Sequence, residues 1–324
     1  MRSLGLPLSL LLVLIAGVGC SAAGGSAECN VPTDCASNVC NPNGTCAPAG
    51  TGGTGGSGTA DAGEDVADGA AGEDGEPPAD GPGDAAEDGT SGVCQPNHDG
   101  ILTRAEVPIQ VGLHATFKIA ANATWDTTGT DVGGAKTWDL SGDFSGDHLS
   151  ILETQSLTGL WFAPDFPGAT YASRLSDTED LLGIFEVTAD ALLLRGVASP
   201  AEGLTRTKLT YTPPVTVLQF PLQEGSTWAT TSKVTGLASG VVSSYTEAYA
   251  NQVDTRGTLK TPYSTFDVLR VRIVLTRTLG VLTTVTRTFA FVTECFGNIA
   301  AVTSQSNEAK TEFTSILEVK RLSP

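Results

Sequence analysis

Apolar and polar positions divide this chain of 324 residues into three regimes. Leu4 to Val18 form a nearly unbroken apolar run behind Arg2. Between residues 47 and 93 the only large aliphatic side chains are Val66 and Val93. From Glu106 onward apolar residues recur with a period of two. Leu269, Val271, Ile273 and Leu275 alternate with Arg270, Arg272, Val274 and Thr276, and Val285, Arg287, Phe289 and Phe291 resume the pattern after Leu279 and Gly280. A two-residue period puts one set of side chains on a wet face and the other on a buried face of a strand. Similar runs occur at 115–119, 149–153, 184–187, 192–197, 215–220, 245–249 and 316–319. Turn signals separate them at Gly133-Gly134, Ser145-Gly146, Ala189-Asp190, Pro213-Pro214, Glu224-Gly225, Arg256-Gly257 and Gly297-Asn298. Roughly ten to twelve strands at this spacing predict one all-β domain, a curved antiparallel sheet forming an open barrel or sandwich. Two sub-halves are expected to meet near Pro213-Pro214. Ser176-Asp177-Thr178-Glu179 before Leu181 predicts one short helix, with Asp177, Glu179 and Asp180 at its solvated start.

Charge sharpens the middle regime. Of the formal charge of −18, 11 carboxylates fall between residues 47 and 93 with no basic residue among them. With so little apolar surface to bury, residues 47–93 are expected to be a disordered acidic linker, extended by its own repulsion. The remainder is near neutral, and no clustered basic face is present, which excludes a general nucleic-acid binder.

The apolar run ends at Ala16-Gly17-Val18-Gly19-Cys20-Ser21, and its length suits a secretory signal segment better than a membrane span. This stretch resembles the lipobox of bacterial lipoproteins, with a small residue before the cysteine, though Gly17 stands where a Leu-like residue is usual. The resemblance implies lipidation of Cys20, a membrane partner through an N-terminal anchor and, with Ser21 next, an outer-membrane address in the cell envelope; ordinary cleavage after Ala23 would make the protein secreted. Export favours disulfides among the remaining six cysteines. Cys29, Cys35, Cys40 and Cys46 crowd residues 21–46 with few apolar neighbours, so two bridges are expected to hold a small module. Zinc is the rival there, without a CxxC pair or a nearby His. The run 33–40 resembles small modules of myxobacterial-type surface lipoproteins. Cys94 and Cys295 remain as a pair, expected to staple the start of the domain at 94–324 to its penultimate strand.

Residues Gln95 to Glu106 resemble an EF-hand or dockerin-like loop. Asn97 falls at position 3, Asp99 at 5, Gly100 at 6, the Ile101 carbonyl at 7, Thr103 at 9 and Glu106 at 12. Calcium needs that spacing, because Gly permits the sharp turn and the last Glu closes the shell with two oxygens. Gln95 at position 1 and the flanking Pro96 and Pro108 depart from the family. The resemblance implies calcium as the one cofactor, at an affinity no better than ~10⁻⁴–10⁻³ M. The rival reading is a Gly turn followed by a helical turn with a Thr103/Glu106 capping box.

The second half, with Phe220-Pro221-Leu222, Gly225, Trp228, Thr261-Pro262, Phe266 and Phe296-Gly297, resembles uncharacterised periplasmic β-proteins of half-barrel shape. Such a half-barrel implies a cradle for an acyl chain or a peptide, and the alternative is that Trp228, Phe266 and Phe296 are plain core. No HExxH, GxSxG, Walker or dinucleotide motif occurs. Asp139, Asp143, Asp147 and His148 offer the best metal-like cluster, although Asp-x-Ser-Gly also suits tight turns. The sequence therefore predicts a lipid-anchored, non-enzymatic envelope protein displaying a binding or structural β-domain for a lipid, peptide or protein ligand. A carrier or sensor of half-barrel shape is second and a metal-dependent hydrolase third.

Overall fold

A computed structural model describes residues 94–324. Cys20 and the cysteines at 29, 35, 40 and 46, like the acidic linker, lie outside the described residues. Among the described residues there is no α-helix, only two 3-10 turns and sixteen strands. Four strands stand apart: β1 (Ile101–Leu102), β3 (Thr130–Val132), β4 (Ala135–Asp139) and β10 (Leu222–Gln223). The other twelve are β2 (His114–Ala121), β5 (His148–Gln155), β6 (Tyr171–Arg174), β7 (Leu182–Val187), β8 (Ala191–Ala198), β9 (Lys208–Gln219), β11 (Thr227–Ala238), β12 (Val241–Lys260), β13 (Thr265–Leu279), β14 (Leu282–Thr293), β15 (Gly297–Ser304) and β16 (Ile316–Leu322). Each of these pairs antiparallel with the next in chain order, and β16 returns to β2, setting Leu322 opposite Phe117. The result is a closed twelve-stranded up-and-down barrel. The expected curved sheet has no free edge left within the barrel, and closure abolishes the edge-pairing hazard of an open sheet.

The period-two pattern decides which side chains point inward. Leu269, Val271, Ile273 and Leu275 of β13 meet Leu194, Val197, Leu209, Tyr211, Val215 and Val234 in one core. The barrel is thus filled by side chains rather than hollowed into a half-barrel cradle. On β11 the outward positions are Thr227, Ala229, Thr231 and Lys233, and the inward ones Trp228, Ser232 and Val234. That polarity is the reverse of a barrel that faces lipid.

A second layer covers part of the outside. The β2–β5 connection, which carries β3 and β4, and the β15–β16 connection bury Trp138, Leu140 and Phe313 against Phe289, Phe291, Ala300, Val302 and Val319. Hence the second half of β14 (288–293) and all of β15 are buried on both faces, and 289–292 and 299–302 read as continuous apolar runs. Arg270 fastens this layer: its guanidinium bonds Asp254 at 3.0 Å, Glu312 at 2.7 Å and the Thr127 carbonyl at 2.8 Å, lying over the ring of Phe289. The β5–β6 connection covers β6 to β8 in the same way, with Phe162 and Phe166 on Ala172, Ile184 and Ala198.

Four local expectations are corrected. Residues 176–180 form bends and no helix, because Ser176 Oγ accepts the Thr178 N–H and caps a tight turn instead. Pro213-Pro214 lies inside β9, and no boundary between sub-halves exists there; the β8–β9 register shifts around it, and the prolines sit where ladder bonds are missing. Arg256-Gly257 lies inside β12. Gly257 is needed there for closeness: a Cβ would stand 2.2 Å from the Lys136 carbonyl oxygen of the parallel strand β4. The turn expected at Gly297-Asn298 sits just before it, at 294–296.

Candidate functional site

The segment 94–109 closes one end of the barrel. Leu102, Val107 and Ile109 are buried in the interior core, and β1 pairs with β10 at the rim. Two ties hold this plug. Cys94 and Cys295 are joined by a disulfide, and the Cys295 N–H donates to the Glu106 carbonyl at 2.7 Å. The bridge expected from cysteine counting is present, with Cys295 in the β14–β15 turn. His98 adds a third contact, its N–H donating to Glu294 at 3.1 Å and its ring lying 3.5 Å from Asp267.

Within the plug, the residues expected to form the calcium loop bond one another. Gly100 has φ +81°, the left-handed backbone that the loop's sixth position requires. Asn97 Nδ2 donates to Glu106 Oε1 at 2.8 Å and to Asp99 Oδ2 at 3.3 Å. Asp99 Oδ1 accepts the Ile101 N–H at 2.7 Å, and Glu106 Oε2 accepts both the N–H and the hydroxyl of Thr103 at 2.8 Å. Both oxygens of the closing Glu are therefore engaged by the chain itself, one of them in the capping box. The exiting helix is reduced to the 3-10 turn Arg104–Glu106. Calcium would have to displace the Asn97 amide and the Thr103 donors. Calorimetric titration of the full chain is therefore expected to give no heat below about millimolar calcium; saturation at micromolar calcium would contradict this arrangement.

Beside the plug lies a cleft of about 930 Å³. It opens where β12 changes partners, leaving antiparallel β11 after Gln252 and meeting parallel β4 at Gly257, with a bulge at Asp254 between. His98 and Gly100 of the plug form one wall, the β3–β4 hairpin with Lys136 another, and Thr258, Asp267 and Phe296 the floor and far side. Two of its charge pairs are Lys136 with Asp131 within the β3–β4 hairpin at 3.0 Å and Arg256 of β12 with Glu224 at 3.9 Å. Phe266 and Phe296 pack edge to face at 5.1 Å, with Tyr263 against both. Trp228 is core as expected, but Phe266 and Phe296 are only half-buried and line the cleft. Sequence reasoning missed the cleft because Thr258, Asp267 and Glu294 carry no motif. The only signal was the cysteine pair that fixes one wall.

The acidic cluster is pulled into separate partnerships. Asp139 accepts the N–H and hydroxyl of Ser141, Asp143 pairs with Lys118, and Asp147 with Arg321. His148 turns to Asp177 at 2.5 Å. Lys118 lies between Asp143 and Asp147, His148 faces Asp177, and no group of three His, Cys, Asp or Glu side chains converges as a metal site among the described residues. The Asp177 hydrogen bond raises the His148 pKa above its ordinary value near 6.5, with the Gly146 carbonyl adding to it. Because the folded pKa is the higher, this pair contributes stability fully below pH ~6.5 and loses it as pH rises through the folded pKa. An NMR titration is expected to place the His148 midpoint above that of the Asp177→Asn variant; equal midpoints would show the pair to be inert.

No protein-family model, curated protein or solved structure matches the chain.

Proposed function

We propose that this is a lipid-anchored envelope protein whose barrel is a recognition domain, with the cleft beside the disulfide-tied plug as its ligand seat and without catalysis. The observation that carries this reading is the cleft's make-up: a rigid, covalently tied wall, paired charges of both signs, hydroxyls and an aromatic side, in a fold whose interior is packed solid. Concave sites of this volume, few per protein and walled by fixed elements, are where ligands bind. The candidate catalytic groups are spent on structural pairs, which favours binding over turnover. The polar outer face of β11 favours a barrel carried outside the bilayer, and the lipobox-like Cys20 supplies the attachment. The mixed lining suits a polar chain such as a peptide or glycan better than an acyl chain.

Native mass spectrometry of the full chain isolated without denaturant tests this. A co-purifying mass that disappears in Thr258→Trp, which fills the cleft, with melting unchanged, is the expected result. A bound mass that survives the substitution would move the ligand elsewhere. The reading fails if no mass is bound and peptide and oligosaccharide mixtures leave the NMR resonances of 256–268 unmoved.

A further inference from the structure

The end of the barrel opposite the plug carries an apolar crown. The β11–β12 hairpin ends in Val241 and Val242, and the β13–β14 hairpin in Leu279, Val281 and Leu282. These hairpins are neighbours, since Thr246 of β12 faces Thr278 of β13. The β8–β9 loop joins them: the Gly240 N–H donates to the Arg206 carbonyl, and a Cβ on Gly240 would lie 2.2 Å from the Leu204 carbonyl oxygen. Val281 is 98 % exposed, Leu204 95 % and Val242 83 %. Hairpin tips in water favour Gly, Asn, Asp and Ser, so this aliphatic content is out of place unless something covers it.

We infer that these tips insert into the surface of a lipid bilayer. Three observations select lipid over a protein partner. The apolar groups sit at the ends of hairpin turns, with Val281 and Leu204 almost fully exposed. The two tips are also free of charge, for residues 234–246 and 278–286 contain no Asp, Glu, Lys or Arg. Behind the aliphatic residues stand hydroxyls, Ser243 and Ser244 on one hairpin and Thr283 and Thr284 on the other, matching the change from acyl chains to head groups. Charged side chains at that depth would be costly, and the two hairpin tips carry none; Glu202 and Arg206 flank Leu204 on the β8–β9 loop. Lastly, the chain brings a membrane within reach. Residues 21–93 separate the lipobox-like Cys20 from Cys94 and span on the order of 200 Å when extended, far more than the barrel's length. With the tips in the bilayer, the cleft at the other end faces away from it.

The inference borrows from the proposed function only the anchor that places the protein near a membrane, and the test removes that anchor. The chain from Ser21 to Pro324, which lacks both the apolar run and Cys20, is sedimented with phosphatidylcholine vesicles and with vesicles containing phosphatidylglycerol. Binding to both is expected, since the tips are uncharged, with at least a tenfold loss of bound fraction in Val281→Asp/Leu282→Asp at unchanged melting temperature. Thr258→Trp, which alters only the cleft, should bind vesicles normally; this separates failure of the crown from failure of the ligand seat. Absence of binding at millimolar lipid, or equal binding by the Asp variant, overturns the inference. So does concentration-dependent self-association in analytical ultracentrifugation that the same Asp substitutions abolish, which would assign the crown to a second copy of the chain.

Discussion

Replacing Arg321 with alanine is expected to cost the barrel about 3–5 kcal/mol, because it strips the partner from a buried carboxylate. Arg321 is fully buried on the outer face of β16, beneath the β2–β5 connection. Its guanidinium holds Asp147 through two bonds, at 2.8 and 2.5 Å, and donates to the carbonyls of Leu140, Lys118 and Gly142. The Phe144 ring lies 4.6 Å away. Five donors thus fix one returning loop. Burial alone pushes the Asp147 carboxyl up, but bonds from Arg321 and the Phe144 N–H prevail and hold it below the ordinary carboxylate range. This pair therefore contributes stability above the unfolded value near 4 and loses it as pH falls through the folded pKa. Urea unfolding of the full chain measures the cost. Arg321→Met/Asp147→Leu should recover much of it, since removing both charges leaves nothing buried and unpaired. A cost under ~1 kcal/mol for Arg321→Ala, within the range of an exposed ion pair, would mean that water reaches Asp147. By contrast, Lys118→Ala removes the pair with exposed Asp143 and only a 3.8 Å contact with Asp147, whose Arg321 bonds remain, and should matter far less.

The second large effect belongs to the disulfide. Cys94 and Cys295 are 201 residues apart in sequence. In the loop-entropy account a link of such length stabilises by up to about 4–5 kcal/mol. Cys94→Ser/Cys295→Ser in the full chain is expected to approach that loss, leaving the cysteines at 29–46 untouched. Hydrogen exchange gives the local counterpart. The amides of Leu102 and Val107 should exchange much faster in the double variant than those of Val271 and Val292, because the plug loses its tie while the interlocked barrel strands keep theirs. Equal acceleration everywhere would show that plug and barrel open as one unit. A loss under ~1 kcal/mol would show that the non-covalent contacts of Leu102, Val107 and Ile109 suffice.

Much of the barrel was legible from its alternation. Leu269 to Leu275 and Val285 to Phe291 lie on strands as their period required, and the cysteine pair followed from export and counting. Closure was not legible, since the contact between Phe117 and Leu322 is set by sheet curvature and leaves no local mark. The outer layer was hidden for a related reason. Phe289 and Phe291 face outward and Ala290 inward, so both faces are apolar and the pattern does not say which is which. Gly257 misled because glycine marks a turn and a close backbone approach equally well, and only the position of β4 distinguishes them. The cleft is harder still. Its walls come from the plug, the β3–β4 hairpin, β12 and β13, which meet only after the barrel has formed.

Closure by the first and last barrel strands has a consequence for biogenesis. Up to the addition of β16, β2 and β15 are both unsatisfied edges, and the chain has no arrangement that pairs all its backbone. The closing contacts are the most distant in sequence, and distant pairings form late because their loop entropy must be met first. Any pore that passed this chain N-terminus first would release β16 after the other strands, so the barrel could close only once β16 had emerged.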